Sequence, residues 1–157
     1  NSGISMGDAP YPEGIDCVWL ASDHSGHVGV FVTGGVGPIP IPALNYKQIP
    51  VEHIEGLVCD MPSVSATRLL LPIKRPDDFI DLAERGVFVY DWSDVHRTEH
   101  SSLRAYELIA VPIMPITVAL LPESLAPVAR LLKFRDVVFA DRQLLDVRLH
   151  MTCRESK

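Results

Sequence analysis

The chain has 157 residues, 47% of them hydrophobic and 22% charged, and its formal net charge is −6. That length suits one domain burying roughly 70% of the surface its unfolded chain exposes, and the composition excludes intrinsic disorder. The acidic balance argues against nucleic-acid binding, and the apolar uncharged run at residues 108–122 is too short and too rich in proline to cross a membrane as a helix.

Residues 1–5, ahead of Met6, read as a vector-derived remnant, leaving 6–157 as a single domain with no basic-then-apolar leader after Met6. Residues 16–22 and 27–33 are β-branched and apolar; the four residues between them give a hairpin signal, with Gly26 at the turn. Val28, Val30 and Val32 then share one strand face. Residues 34–42 (GGVGPIPIP) are turn and extended residues that exclude helix. Pro50 opens a short helix in which Val51, Ile54, Leu57 and Val58 recur at helical spacing. Residues 66–73 read as a buried strand, and 76–85 as a helix with acids in its first turns, ended by Gly86. Strands follow at 87–92, 106–111 and 116–121, with prolines confining the last two to edges or bulges. Ser124 is an N-cap for a helix over 125–133, and segments 137–140 and 144–150 complete the set. Many short strands without βαβ alternation predict an α+β domain: an antiparallel or mixed sheet with two or three helices packed on it.

Residues able to carry chemistry concentrate after the strand at 87–92, where Asp91, Asp94, His96, Glu99 and His100 fall close together. His96 to His100 spells H-x-x-E-H, the pattern of the inverted zinc proteases. There, two histidines four apart on one helix face meet a zinc, and the glutamate activates its water. Glu107 and Glu123 are third-ligand candidates, neither in a recognisable motif. Arg97, Thr98, Ser101 and Ser102 give the segment no apolar face, which favours a solvated loop without metal. A small metal-dependent hydrolase using His96, Glu99 and His100 is the alternative. His24 and His27 straddle the hairpin turn without a third ligand. The glycines at 34–37 run into Pro38, Pro40 and Pro42 instead of a helix N-terminus, so they form no phosphate loop. Cys17, Cys59 and Cys153 form no C-x-x-C pair and read as reduced thiols of a cytoplasmic protein. No cofactor is expected.

Residues 77–99 hold seven acids (Asp77, Asp78, Asp81, Glu84, Asp91, Asp94 and Glu99) against Arg85 and Arg97. Such acids suit an ordinary solvated helix with a negative first turn. Gathered on one face, they suit docking of a basic protein, because complementary charge speeds association and selects the partner. Trp92 serves either as a binding ring at a strand end or as a core-closing indole. Two segments, 15–35 and 85–96, resemble small uncharacterised bacterial proteins, some of which are immunity proteins that neutralise a cognate toxin. The resemblance implies a cytosolic protein that binds a toxin, and it assigns no residue a role; together with the acidic run it gives the expectation of a non-enzymatic protein that caps a basic toxin surface. From the charge pattern, the expected partner-binding set is Asp77, Asp78, Asp81, Glu84, Asp91, Trp92 and Asp94. A third possibility is a small-molecule pocket beside Trp92 and the 34–37 loop.

Overall fold

The computed structural model describes residues 10–72, 76–98 and 101–155, with backbone alone at 93–98 and 101–103. The two apolar runs form the predicted hairpin, β1 (Val18–Ser22) and β2 (Val28–Val32), in register from Val18↔Val32 to Ser22↔Val28. Asp23 organises the turn. Its fully buried carboxylate accepts the Ser25 and His27 N–H groups on one oxygen and the Phe139 N–H on the other, each at 2.9 Å. Gly26 closes the turn at φ 81°, which a side chain would resist.

Next come the short strand β3 (Ile39–Pro40) and the one-turn helix α1 (Ile41–Leu44). The helix starts inside the stretch expected to exclude one, because Pro42 occupies its first turn, where the missing N–H is no loss. A 3-10 turn at Val51–His53 leads into α2 (Ile54–Cys59), and Val51, Ile54 and Val58 are buried as their spacing predicts. Of the buried strand expected at 66–73, only β4 (Thr67–Leu69) forms among the described residues, at the sheet edge and with half-buried to exposed side chains; Ile73 lies outside them.

α3 (Asp77–Ala83) buries Leu82 and Ala83 and is followed by β5 (Phe88–Thr98) and β6 (Ser101–Pro112), a long antiparallel pair. Residues 93–98, expected as loop, therefore continue a strand, since pairing with β6 satisfies their backbone without an apolar side-chain pattern. The strand expected at 116–121 is instead one bridge, His27 to Thr117, followed by a 3-10 turn at Val118–Leu120. Pro115 and Pro122 remove the donors a ladder would need. α4 (Ala126–Leu131) has Leu125, not Ser124, as its N-cap. The remainder forms 3-10 turns at Phe139–Asp141 and Val147–Leu149 around β7 (Leu144–Leu145), then β8 (Cys153–Arg154).

The main sheet runs β1-β2-β5-β6-β4, with β7 pairing further along β6; β3 and β8 form a separate ribbon. The β2–β5 pair is parallel and the others antiparallel, so this is an α+β domain on a mixed sheet. Register aligns Trp19, Phe31 and Tyr90 across three strands. Phe31 stacks on Trp19 at 4.2 Å and on Tyr90 at 4.9 Å, and Phe134 and Phe139 close over it at 5.9 Å each. The buried Tyr106 hydroxyl accepts from Trp19 Nε1 (3.2 Å) and donates to the Pro38 carbonyl (2.8 Å), so both polar rings have partners. The alternate residues Val18, Leu20, Val30, Val32 and Val89 make an aliphatic layer on the opposite face. On that face Ser22 Oγ donates to the Ala129 carbonyl at 2.6 Å, joining α4 to β1. α2 also packs against β1, and α3 lies against α2, β4, β5 and β6.

Candidate functional site

Because α3 turns Leu82 and Ala83 inward, Asp77, Asp78 and Asp81 stand exposed and Glu84 half-buried. Two acids that sequence reasoning had passed over extend this surface: Asp16, just ahead of β1, and Glu55, on α2. Burial raises the Glu55 carboxyl above its ordinary value, and the charges of Asp16 and Asp78 raise it further. Three elements thus bring like charges to one place.

Asp91 belongs to the same electrostatic group. Its register neighbours are Val32 in β2 and Glu107 in β6, and Val32 pairs with Val18, two residues from Asp16. Burial pushes the Asp91 carboxyl up to about 6; Asp16 and Glu107 add to the rise, while the Trp92 backbone opposes it. Like charges opposite one another on a sheet destabilise it.

The cation just after α3 is committed. Arg85 donates to an Asp81 carboxylate oxygen at 2.7 Å and to the carbonyls of Asp81, Cys59 and Met61 at 2.8, 3.0 and 3.2 Å, tying α3 to the end of α2. Asp81 is therefore partly neutralised. No ion pair reaches Asp16, Glu55, Asp77 or Asp78 among the described residues.

The rest of the expected set is dispersed. Trp92 follows Asp91 in the strand and so faces the opposite side, packed edge-on to Tyr106 at 5.2 Å with the Arg148 guanidinium 5.9 Å from its ring. Asp94 lies further along β5, opposite Arg104. His96 is also a β5 residue, paired with Ser102, so the run from His96 to Thr98 is extended, whereas zinc ligation by H-x-x-E-H needs a helical turn. Glu99 and His100 lie outside the described residues, among which no group of three or more His, Cys, Asp or Glu is arranged to hold a metal.

His24 Nδ1 pairs with the Arg135 carbonyl at 2.9 Å, while the His27 ring lies 5.9 Å from that of Phe88. The 34–37 loop turns its N–H groups inward: Gly34 donates to Asp16, and Gly35 and Gly37 donate to Thr33. Burial pushes the Cys17 and Cys153 thiols up to about 11 and about 12, and raises Cys59 with help from Asp81. Such thiols are poor nucleophiles at neutral pH. Compared with known protein families, curated proteins and solved structures, the chain matches none.

The Asp91 shift has a measurable consequence. The folded carboxyl titrates near 6 and the ordinary one near 3.8, so between those values the folded state keeps a proton that the unfolded chain has released. Stability therefore falls as pH rises through this window, and the deficit is complete above it. Partial solvent contact limits the deficit to about 1–2 kcal/mol. Asp91→Asn is expected to raise the melting temperature at about pH 7.5 and to leave it unchanged at about pH 4. Equal shifts at both pH values in a thermal melt would assign the effect to packing instead.

Proposed function

We propose that this chain is a non-enzymatic binding protein whose acidic surface on α2 and α3 docks a basic protein, as an immunity-type protein meets a toxin. The observation that carries this reading is the convergence of Asp16, Glu55 and Asp78 from three separate elements, beside an arginine already engaged by Asp81. Like charges held together work against the free fold, and a cationic partner converts that repulsion into attraction. Asp77, Asp78 and Glu55 are all exposed to an approaching partner. Asp91 adds to the negative field at the sheet.

The test titrates the protein with a lysine decamer. The combined variant Asp77→Lys, Asp78→Lys, Glu55→Gln reverses or removes charge at positions that make no ion pair among the described residues, so no ion pair seen there is lost. Each charge is worth about 0.5–1 kcal/mol at such a surface, so affinity is expected to drop roughly tenfold or more, and its salt dependence to weaken. Unchanged affinity in the combined variant would sink the assignment of this surface.

A further inference from the structure

A groove adjoins the acidic surface at the C-terminal end of α2. It encloses about 470 Å³, and its walls include Leu57, Val64, Ile116 and Leu120. Leu120 and Val64, both in its wall, remain 68% and 44% exposed. Pro62 and Pro122 also line it, and their fixed φ angles stiffen its rim. Leu57, Asp60 and Ser124 are shared with a second, more open hollow of about 610 Å³ that carries Glu52 and His53. An apolar slot therefore continues into an acidic trough along α2. Arg85 also touches the slot, but its guanidinium is held by the Asp81 carboxylate and three carbonyls.

We propose that this groove receives an extended segment of the basic partner, which sets a bulky apolar side chain into the slot and a neighbouring lysine or arginine against Asp60 and Glu52. This rests on the acidic-surface reading and supplies what that reading lacks. Charge complementarity gives speed and selectivity, whereas affinity concentrates in a buried anchor ringed by polar contacts. A slot of this volume is large enough to enclose such an anchor, and its stiff rim lowers the ordering cost of binding. A second copy of the chain is a poorer occupant, since each copy brings a net charge of −6. A wholly apolar small molecule would leave Asp60 and Glu52 unused.

The test follows backbone amide resonances of the isotope-labelled full chain. It is titrated with a hexapeptide alternating leucine and arginine, then with serine–arginine and leucine–glutamate counterparts. The leucine–arginine peptide is expected to shift Leu57, Asp60, Leu120 and Ser124 to saturation and to bind at least tenfold tighter than either counterpart. Leu120→Asp, at an exposed position that leaves the core intact, is expected to weaken it at least tenfold. Equal binding of the serine–arginine peptide, or shifts confined to residues outside the groove, would overturn the anchor and leave the acidic surface standing. Equal binding of the leucine–glutamate peptide would overturn both. Self-association of the free chain that Leu120→Asp abolishes would give the groove to a second copy and overturn the proposal.

Discussion

Replacing Asp23 with Ala is expected to lower folding stability by about 3–4 kcal/mol, a melting-temperature drop of roughly 10 °C for a domain of this size. The carboxylate is fully buried and accepts three backbone N–H groups. Two of them shape the β1–β2 turn, and the third, from Phe139, lies 116 residues away. Without the carboxylate the buried Phe139 N–H has no acceptor, and the 3-10 turn at Phe139–Asp141 is left joined to the hairpin turn through the His24 N–H and Val137 carbonyl. Hydrogen exchange should therefore quicken together at His27 and Phe139, although they are far apart in sequence. Asp23→Asn keeps one oxygen for the two turn donors and fails at Phe139, so its cost should be about half. A loss below about 1 kcal/mol in urea denaturation of the Ala variant would show that the turn holds without it.

Phe31→Ala is expected to cost about 3–5 kcal/mol, the usual range for emptying a fully buried aromatic site. The ring is inaccessible to solvent and lies within 6 Å of five other rings: Trp19, Tyr90, Tyr106, Phe134 and Phe139. Few alternatives can fill the gap, because Gly29, two residues earlier on the same face, already admits Phe139: a Cβ there would stand 2.8 Å from its ring. Phe31→Leu keeps most of the volume and should lose less than half as much. Trp19, stacked on Phe31, reports the change directly, and its emission should move to longer wavelength in the Ala variant. Unaltered emission with native stability would mean the aromatic layer repacks freely.

Those two residues also mark what sequence made legible. The β1–β2 hairpin was readable because β-branched runs flank an Asp-x-x-Gly turn, and α2 and α3 because apolar residues recur at helical spacing. β5 was predicted only as far as its apolar residues run. Beyond Trp92 its backbone pairing with β6 continues through polar residues, which leave no periodic signal. The prolines at 112, 115 and 122 pointed to edges and bulges, but not to the 3-10 turn that replaces the strand after Thr117.

The acidic surface was half visible. The acids of α3 form a dense run, whereas Asp16 and Glu55 are distant from it in sequence and join it because α2 packs against both β1 and α3. Strand alternation alone separates Asp91 from Trp92, since adjacent residues of a strand face opposite sides.

The central claim is that a basic partner meets the acids around Glu55 and Asp91, and proton uptake or release on binding tests it most directly. Both carboxyls are held above their ordinary values by burial and by neighbouring acids. An arriving cation favours their charged forms, so the lysine decamer should expel protons when it binds near pH 6. Calorimetry in two buffers of different ionisation enthalpy measures that release. The account predicts release near pH 6 that falls away towards pH 8 and is diminished in Asp91→Asn, whose carboxyl titrates there. Binding without proton release, or release unaffected by that substitution, would place the partner elsewhere on the molecule and contradict the account.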